Sequence, residues 1–168
     1  MMKSRLKLPK EQPPSCGPAA ICALTGRSVK KVIAAIKAAA TNHQRDLVDF
    51  ANTNPRDLVE ALNSFGWSAF NAKGVEVKPS SIFPPQVSAH ARQQHPTIAD
   101  FVASNERADL LIGIAYSLES SVSHTFVVDR KTFYDNNIGR RIGNPSDVDP
   151  DLANWRVLIS YAIKPTPR

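Results

Sequence analysis

The sequence is short of several things, and each shortage excludes something. It has only two cysteines in 168 residues, Cys16 and Cys22, six positions apart. No disulfide framework can be built from such a pair, and a chain of this length buries a sufficient core without one. No apolar run approaches the length needed to cross a bilayer, since Leu-Leu-Ile-Gly-Ile-Ala-Tyr is a strand-length segment. The N-terminal stretch MMKSRLKLPKEQPP carries positive charge but no apolar h-region, so it does not read as a secretory signal. A reduced, cytoplasmic protein without membrane contact is the expectation. No internal repeat and no low-complexity block interrupts the chain. Metal-ligand spacing is also missing: His43 sits in a polar linker, His95 precedes Pro96, and neither cysteine nor carboxylate completes a familiar set around His90 and His95. Neither metal nor cofactor is expected.

What is present is an ordinary globular composition, 42% apolar and 21% charged, with a net charge of +6. Lys3, Arg5, Lys7 and Lys10 gather part of that charge in residues 1–10, and Arg140 with Arg141 forms a second small cluster. A solvated basic tail is the plain reading of residues 1–10, with 11–168 as a single domain. The sharper reading is attraction to an acidic partner or a larger assembly. No recognition helix or base-stacking aromatic platform accompanies the charge, so nucleic acid is not the expected partner.

Helical signals fill the first part of the chain. Gly17-Pro18 opens an apolar segment that Thr25-Gly26 closes, and proline suits a first helical turn because its missing N–H has no partner there anyway. Ser28 caps a second helix, whose Val29, Val32, Ile33 and Ile36 repeat with helical period while Lys30, Lys31 and Lys37 face out. A third helix runs through TNPRDLVEALNSFGW, with Leu58, Val59 and Leu62 as its buried stripe and Gly66 at its end. One or two short strands are expected between Trp67 and Lys78. Residues 79–96 read as an irregular connection that contributes to a substrate-binding rim. Thr97 and Asp100 suggest a capping box for a short helix. After Arg107 the pattern changes. LLIGIAY reads as a strand buried on both faces, HTFVVD and TFYDN as an antiparallel pair, and WRVLISYAIK as a final strand. Helices first and antiparallel strands afterwards predict an α+β domain in two layers or lobes.

Within that frame one set of residues carries chemistry. Cys16 stands at the start of the first helix, where unpaired N–H groups and the helix dipole favour a thiolate. Cys22, mid-helix among Ala and Leu, has no such field and reads as a core residue. His124 opens a strand after a polar loop, and Asp135 follows eleven residues later, beyond a tight turn. Two antiparallel neighbours with that separation can set a carboxylate beside an imidazole, fixing its tautomer and stabilising its charged form.

The blocks SCGPAAICALTG and SHTFVVDRKTFYDNN resemble the papain-like cysteine peptidase superfamily, with most similarity to small bacterial and phage members and to bacteriocin-leader peptidases. The resemblance covers two short blocks at opposite ends of the chain; residues 41–110 carry no specific match. It implies Cys16 as nucleophile, His124 as general base and Asp135 as orienting group, in a two-lobed α+β fold with the cleft between lobes. Asn136 and Asn137 are alternatives for the third position, because papain-like sites can use asparagine there. It also implies an oxyanion-hole glutamine about six residues before the nucleophile. Lys10 occupies that place here, and the nearest candidate is Gln12, four residues before Cys16 and held extended by Pro13-Pro14. Loss of such a donor costs about 10²–10³ in rate. The implied activity is a thiol hydrolase acting on a peptide, isopeptide or other amide bond, with acyl transfer as a variant. The contrasting reading is a catalytically weak or inactive scaffold in a structural or binding role, for example in a virion, which extends the expected location to a host cytoplasm or a virion.

Overall fold

The computed structural model describes residues 2–43 and 53–167. Three helices come first: α1 (Cys16–Thr25), α2 (Val29–Asn42) and α3 (Pro55–Ser64). Each has a local cause. Pro18 sits in the first turn of α1, and Gly26, at φ 71°, ends it in the left-handed conformation that costs a side-chain-bearing residue most. The Ser28 side chain accepts from the Lys31 N–H at the head of α2, and Asn54 accepts from the Arg56 N–H ahead of Pro55 in α3. All ten residues of α1 are buried, so this helix is a central rod and not an amphipathic one. Its alanines allow its neighbours to approach closely.

One strand, β1 (Trp67–Phe70), follows, and a turn brings Glu76 back to bridge Phe70. The connection 79–96 is not wholly irregular: it contains a 3-10 turn at Pro79–Ser81 and one helical turn, α4 (Ala89–Arg92). Helix α5 (Ile98–Ala103) is capped by Thr97, whose hydroxyl accepts from the Asp100 N–H. Then come β2 (Leu110–Tyr116), β3 (Ser123–Asp129), β4 (Thr132–Tyr134) and β5 (Arg156–Pro165). The five strands form one antiparallel sheet in the order β1-β5-β2-β3-β4. The final strand thus lies inside the sheet, between the first and second.

The expectation that β2 is buried on both faces holds, and alternation explains it. Leu110, Ile112 and Ile114 join a core with α1, α2 and α3 on one face, while Leu111 and Ala115 join Ile98, Val102, Phe126 and Val128 under α5 on the other. The architecture is α+β, with the N-terminal helices packed directly onto a C-terminal antiparallel sheet. A smaller cover of α5 and 3-10 turns occupies the far face, a third layer beyond the two expected.

Residues 2–10 are not a solvated tail. Leu6 is part of the core, the Lys7 N–H donates to the Ala23 carbonyl at 2.8 Å, and Arg5 engages Asp129, whose side chain is fully buried. Arg5 donates Nε (3.1 Å) and Nη2 (2.7 Å) to Oδ1 of Asp129, and its backbone N–H to Oδ2 (2.6 Å). Burial works to raise the Asp129 carboxyl, but the Arg5 side chain and N–H outweigh it, so the group ionises below the usual carboxylate range. A carboxylate lowered in this way contributes stability at neutral pH and loses it as pH falls through the lowered value. Arg5→Ala should therefore cost about 1–3 kcal/mol at pH 7 by leaving a buried carboxylate short of partners. The variant should also unfold at higher pH than wild type in an acid titration followed by circular dichroism. Equal acid midpoints would show that the strap is not held by this pair.

Candidate active site

The head of α1 meets the start of β3. Cys16 is the first residue of α1, 9% exposed, and His124 is the second residue of β3, 6% exposed. The cysteine sulfur lies beside the His124 ring and beside the backbone N–H and hydroxyl of Thr125. Burial pushes the Cys16 thiol up, yet these donors and the imidazolium charge together bring it below the ordinary thiol value. Across the pair, burial opposes charge on His124, but the Asp135 carboxylate and the Cys16 sulfur close beside the ring outweigh it and raise it to about 9. Both directions have the same cause: a thiolate and an imidazolium stabilise each other where water is scarce.

Asp135 completes the line. Its Oδ2 lies 3.2 Å from Nε2 of His124, which leaves Nδ1 as the ring nitrogen for Cys16. The contact is close but off the line of a well-aligned hydrogen bond, and neither atom has a hydrogen-bond partner among the described residues. Such bonds are often loose without substrate and tighten when the reacting group arrives. The other carboxylate oxygen, Oδ1, accepts from the N–H groups of Asn137 (2.7 Å) and Ile138 (3.3 Å). Asp135 is therefore the cap of a 3-10 turn (Asn136–Ile138), fixed by backbone through one oxygen and aimed at His124 with the other. At 1% exposure it has almost no contact with water. It stands one residue beyond the end of β4 rather than within the strand, because the cap pulls the chain into the turn.

The structure thus brings Cys16, His124 and Asp135 together. Of the alternative orienting residues, Asn137 is exposed and donates from its amide to Asp149 at 3.0 Å, and the side-chain carbonyl oxygen of Asn136 is buried without a hydrogen-bond partner among the described residues. Neither pairs with His124, whose carboxylate partner is Asp135. Gln12 is exposed, and no hydrogen bond among the described residues joins its side chain to Cys16 or His124. Cys22 lies in the core at 1% exposure, and burial with the nearby Glu11 charge raises its thiol to about 11. His43 ends α2 and faces Glu60 at 2.5 Å. Among the described residues no group of three or more His, Cys, Asp and Glu side chains is placed to hold a metal ion, and no helix is long and apolar enough to cross a membrane.

Two residues of the site were not legible in advance. Thr125 sets its backbone N–H and hydroxyl beside the sulfur, and only its place next to His124 hints at that. Gly17 is needed for packing: a methyl group there would lie 2.5 Å from Oγ1 and 2.7 Å from Cβ of Thr53. Both distances are shorter than real Cβ contacts, so Gly17→Ala has to displace either Thr53 or the head of α1, at a cost of about 1–3 kcal/mol. Because Cys16 is the adjacent residue, its alkylation rate should fall along with the melting temperature. A variant with wild-type rate and stability would mean that this contact does not position the cysteine.

No protein-family model, curated protein or solved structure matches this chain.

Proposed function

We propose that this protein is a papain-like thiol hydrolase cleaving a peptide, isopeptide or related amide bond of a peptide or protein substrate. The observation that carries the reading is the buried line from Cys16 through His124 to a carboxylate anchored by two backbone N–H groups. In the proposed reaction the Cys16 thiolate attacks the carbonyl carbon, forming a C–S bond. The His124 imidazolium gives its proton to the leaving nitrogen as the C–N bond breaks. Water then adds to the thioester, losing its proton to His124, and the acid departs as the Cys16–His124 pair re-forms. An amine in place of water would give acyl transfer by the same steps. Asp135 keeps the imidazole in the useful tautomer and stabilises its charged form. Backbone N–H groups in the first turn of α1 lack intrahelical partners and supply donors for the oxyanion, with Gln12 proposed as the side-chain donor.

The exposure of Gln12 and its lack of a link to Cys16 favour the second reading, a scaffold that keeps the arrangement with little turnover. The two separate on one assay. Incubated with a proteome-derived peptide library, the wild-type protein should generate new termini that Cys16→Ala does not. Identical peptide lists from both proteins would leave only the scaffold reading. A companion test addresses Gln12 alone: Gln12→Ala should lower turnover by about 10²–10³ with folding unchanged, and an unaltered rate would assign the oxyanion to backbone donors.

A further inference from the structure

The turn that caps Asp135 and the segment that leads to Cys16 are joined by one side chain. The chain leaves the 3-10 turn Asn136–Ile138 through Gly139, at φ 77° and ψ −161°. That conformation is open essentially to glycine alone. No atom beyond the adjacent residues lies within 4 Å of a Cβ built there, so backbone conformation and not crowding calls for the glycine. Arg140 follows, and its Nη1 donates to the Lys10 carbonyl at 2.6 Å, across 130 positions of sequence.

Lys10 stands in a short exposed stretch. Pro9 and Pro13 are buried, while Lys10, Glu11 and Gln12 between them are exposed. Among the described residues the hydrogen bond from Arg140 is the one that fixes this stretch. A guanidinium donating to a carbonyl is stronger than a neutral pair. Among the described residues Arg140 meets no carboxylate, whereas its neighbour Arg141 pairs with Asp147 at 3.0 Å. Pro13-Pro14 carries the chain on to Ser15 and Cys16 with two φ angles locked. Cys16 is held by its burial in α1, so a displacement at Lys10 reaches Gln12 first.

We infer that Arg140 is a positioning residue of the hydrolase: by tying the Lys10 carbonyl to the turn that caps Asp135, it holds Gln12 in place as the oxyanion donor. The inference rests on the thiol-hydrolase reading and on its use of Gln12. A donor stabilises a developing oxyanion best when its place is set beforehand. An amide on an untethered exposed stretch would have to be ordered at every turnover.

The test is a double-mutant cycle on one peptide that the wild-type protein cleaves and Cys16→Ala does not. It compares Arg140→Ala, Gln12→Ala, the double variant and, as control, Arg141→Ala. Arg140→Ala should lower kcat about 10-fold with KM unchanged, as for an interaction realised only in the transition state. In the Gln12→Ala background the same substitution should change nothing, because the residue it acts through is gone. A merely structural role would give the same loss in both backgrounds. Iodoacetamide labelling of Cys16 at pH 6 should match wild type in Arg140→Ala, since Arg140 is not among the groups that act on the sulfur. Arg141→Ala should turn over like wild type. The inference is overturned by wild-type turnover in Arg140→Ala, by equal losses in both backgrounds, or by an equal loss in Arg141→Ala. It is likewise overturned by a Gln12→Ala protein as active as wild type, or by labelling that falls with turnover. In each of these cases the hydrolase reading stands. Cleavage of no peptide beyond those that Cys16→Ala also cleaves overturns both.

Discussion

Asp135→Asn is expected to fold like wild type and to lose about 10²–10⁴ in turnover. The division of labour between its two oxygens makes the variant informative. Oδ1 accepts the N–H groups of Asn137 and Ile138, and an asparagine carbonyl oxygen can take over both bonds. Oδ2 faces Nε2 of His124, and there asparagine presents an NH₂ donor in place of an acceptor. The ring must then turn an unprotonated nitrogen toward that donor. The proton moves to the Cys16 side, where the general base is needed free, and the imidazolium loses its counter-charge. Asp135→Ala removes the cap as well and should cost a further 0.5–2 kcal/mol of stability, about the usual cost of a lost cap. Asn137→Ala should change neither, since its amide faces Asp149. Cleavage of the peptide library read by mass spectrometry, alongside melting curves, checks all three. Equal turnover in wild type and Asp135→Asn would remove Asp135 from the mechanism.

His124→Ala is expected to suppress alkylation of Cys16 at pH 6 by about 10²–10³. The imidazole sets a donor and a positive charge beside the sulfur, against the burial that raises its pKa. Without it burial prevails, and the thiol returns to or above its ordinary value near 8.5, where only about 0.3% is thiolate at pH 6. Folding also responds to pH through this pair. The histidine, raised to about 9, contributes stability that is fully present below its unfolded value and is lost as pH rises through about 9. The cysteine, lowered, contributes above its unfolded value and loses that contribution as pH falls through the lowered one. The ion pair therefore exists between the lowered cysteine value and about 9, and peptide turnover should decline as pH passes about 9, where the leaving nitrogen loses its proton donor.

Much of this was readable in the sequence because it is local. Pro18 and Gly26 bound α1, Ser28 caps α2, and the apolar run of β2 announces a strand with two covered faces. The joining of Cys16, His124 and Asp135 was also within reach, because a helix start and a hairpin constrain where those side chains stand. The long-range pairings were not. Nothing in WRVLISYAIK says that it lies between β1 and β2, since strand order is decided by which faces the whole chain can bury. The first ten residues read as a basic tail because Arg5 finds its carboxylate in Asp129, more than a hundred residues away. Asp135 was expected within its strand, and the capping bonds that place it just outside come from its own side chain.

The central claim is that Cys16 is a thiolate paired with His124, and a pH series of iodoacetamide labelling tests it without knowledge of the substrate. Both cysteines are followed in one experiment by mass spectrometry. Cys16 should label at pH 6, on a titration limb well below that of an ordinary thiol, and His124→Ala should move that limb upward without unfolding the domain. Cys22, buried in α1 with its thiol raised to about 11, should stay unlabelled until the protein is denatured. Labelling of Cys16 only above pH 8, with a profile that His124→Ala leaves unchanged, would contradict the pairing and the hydrolase built on it.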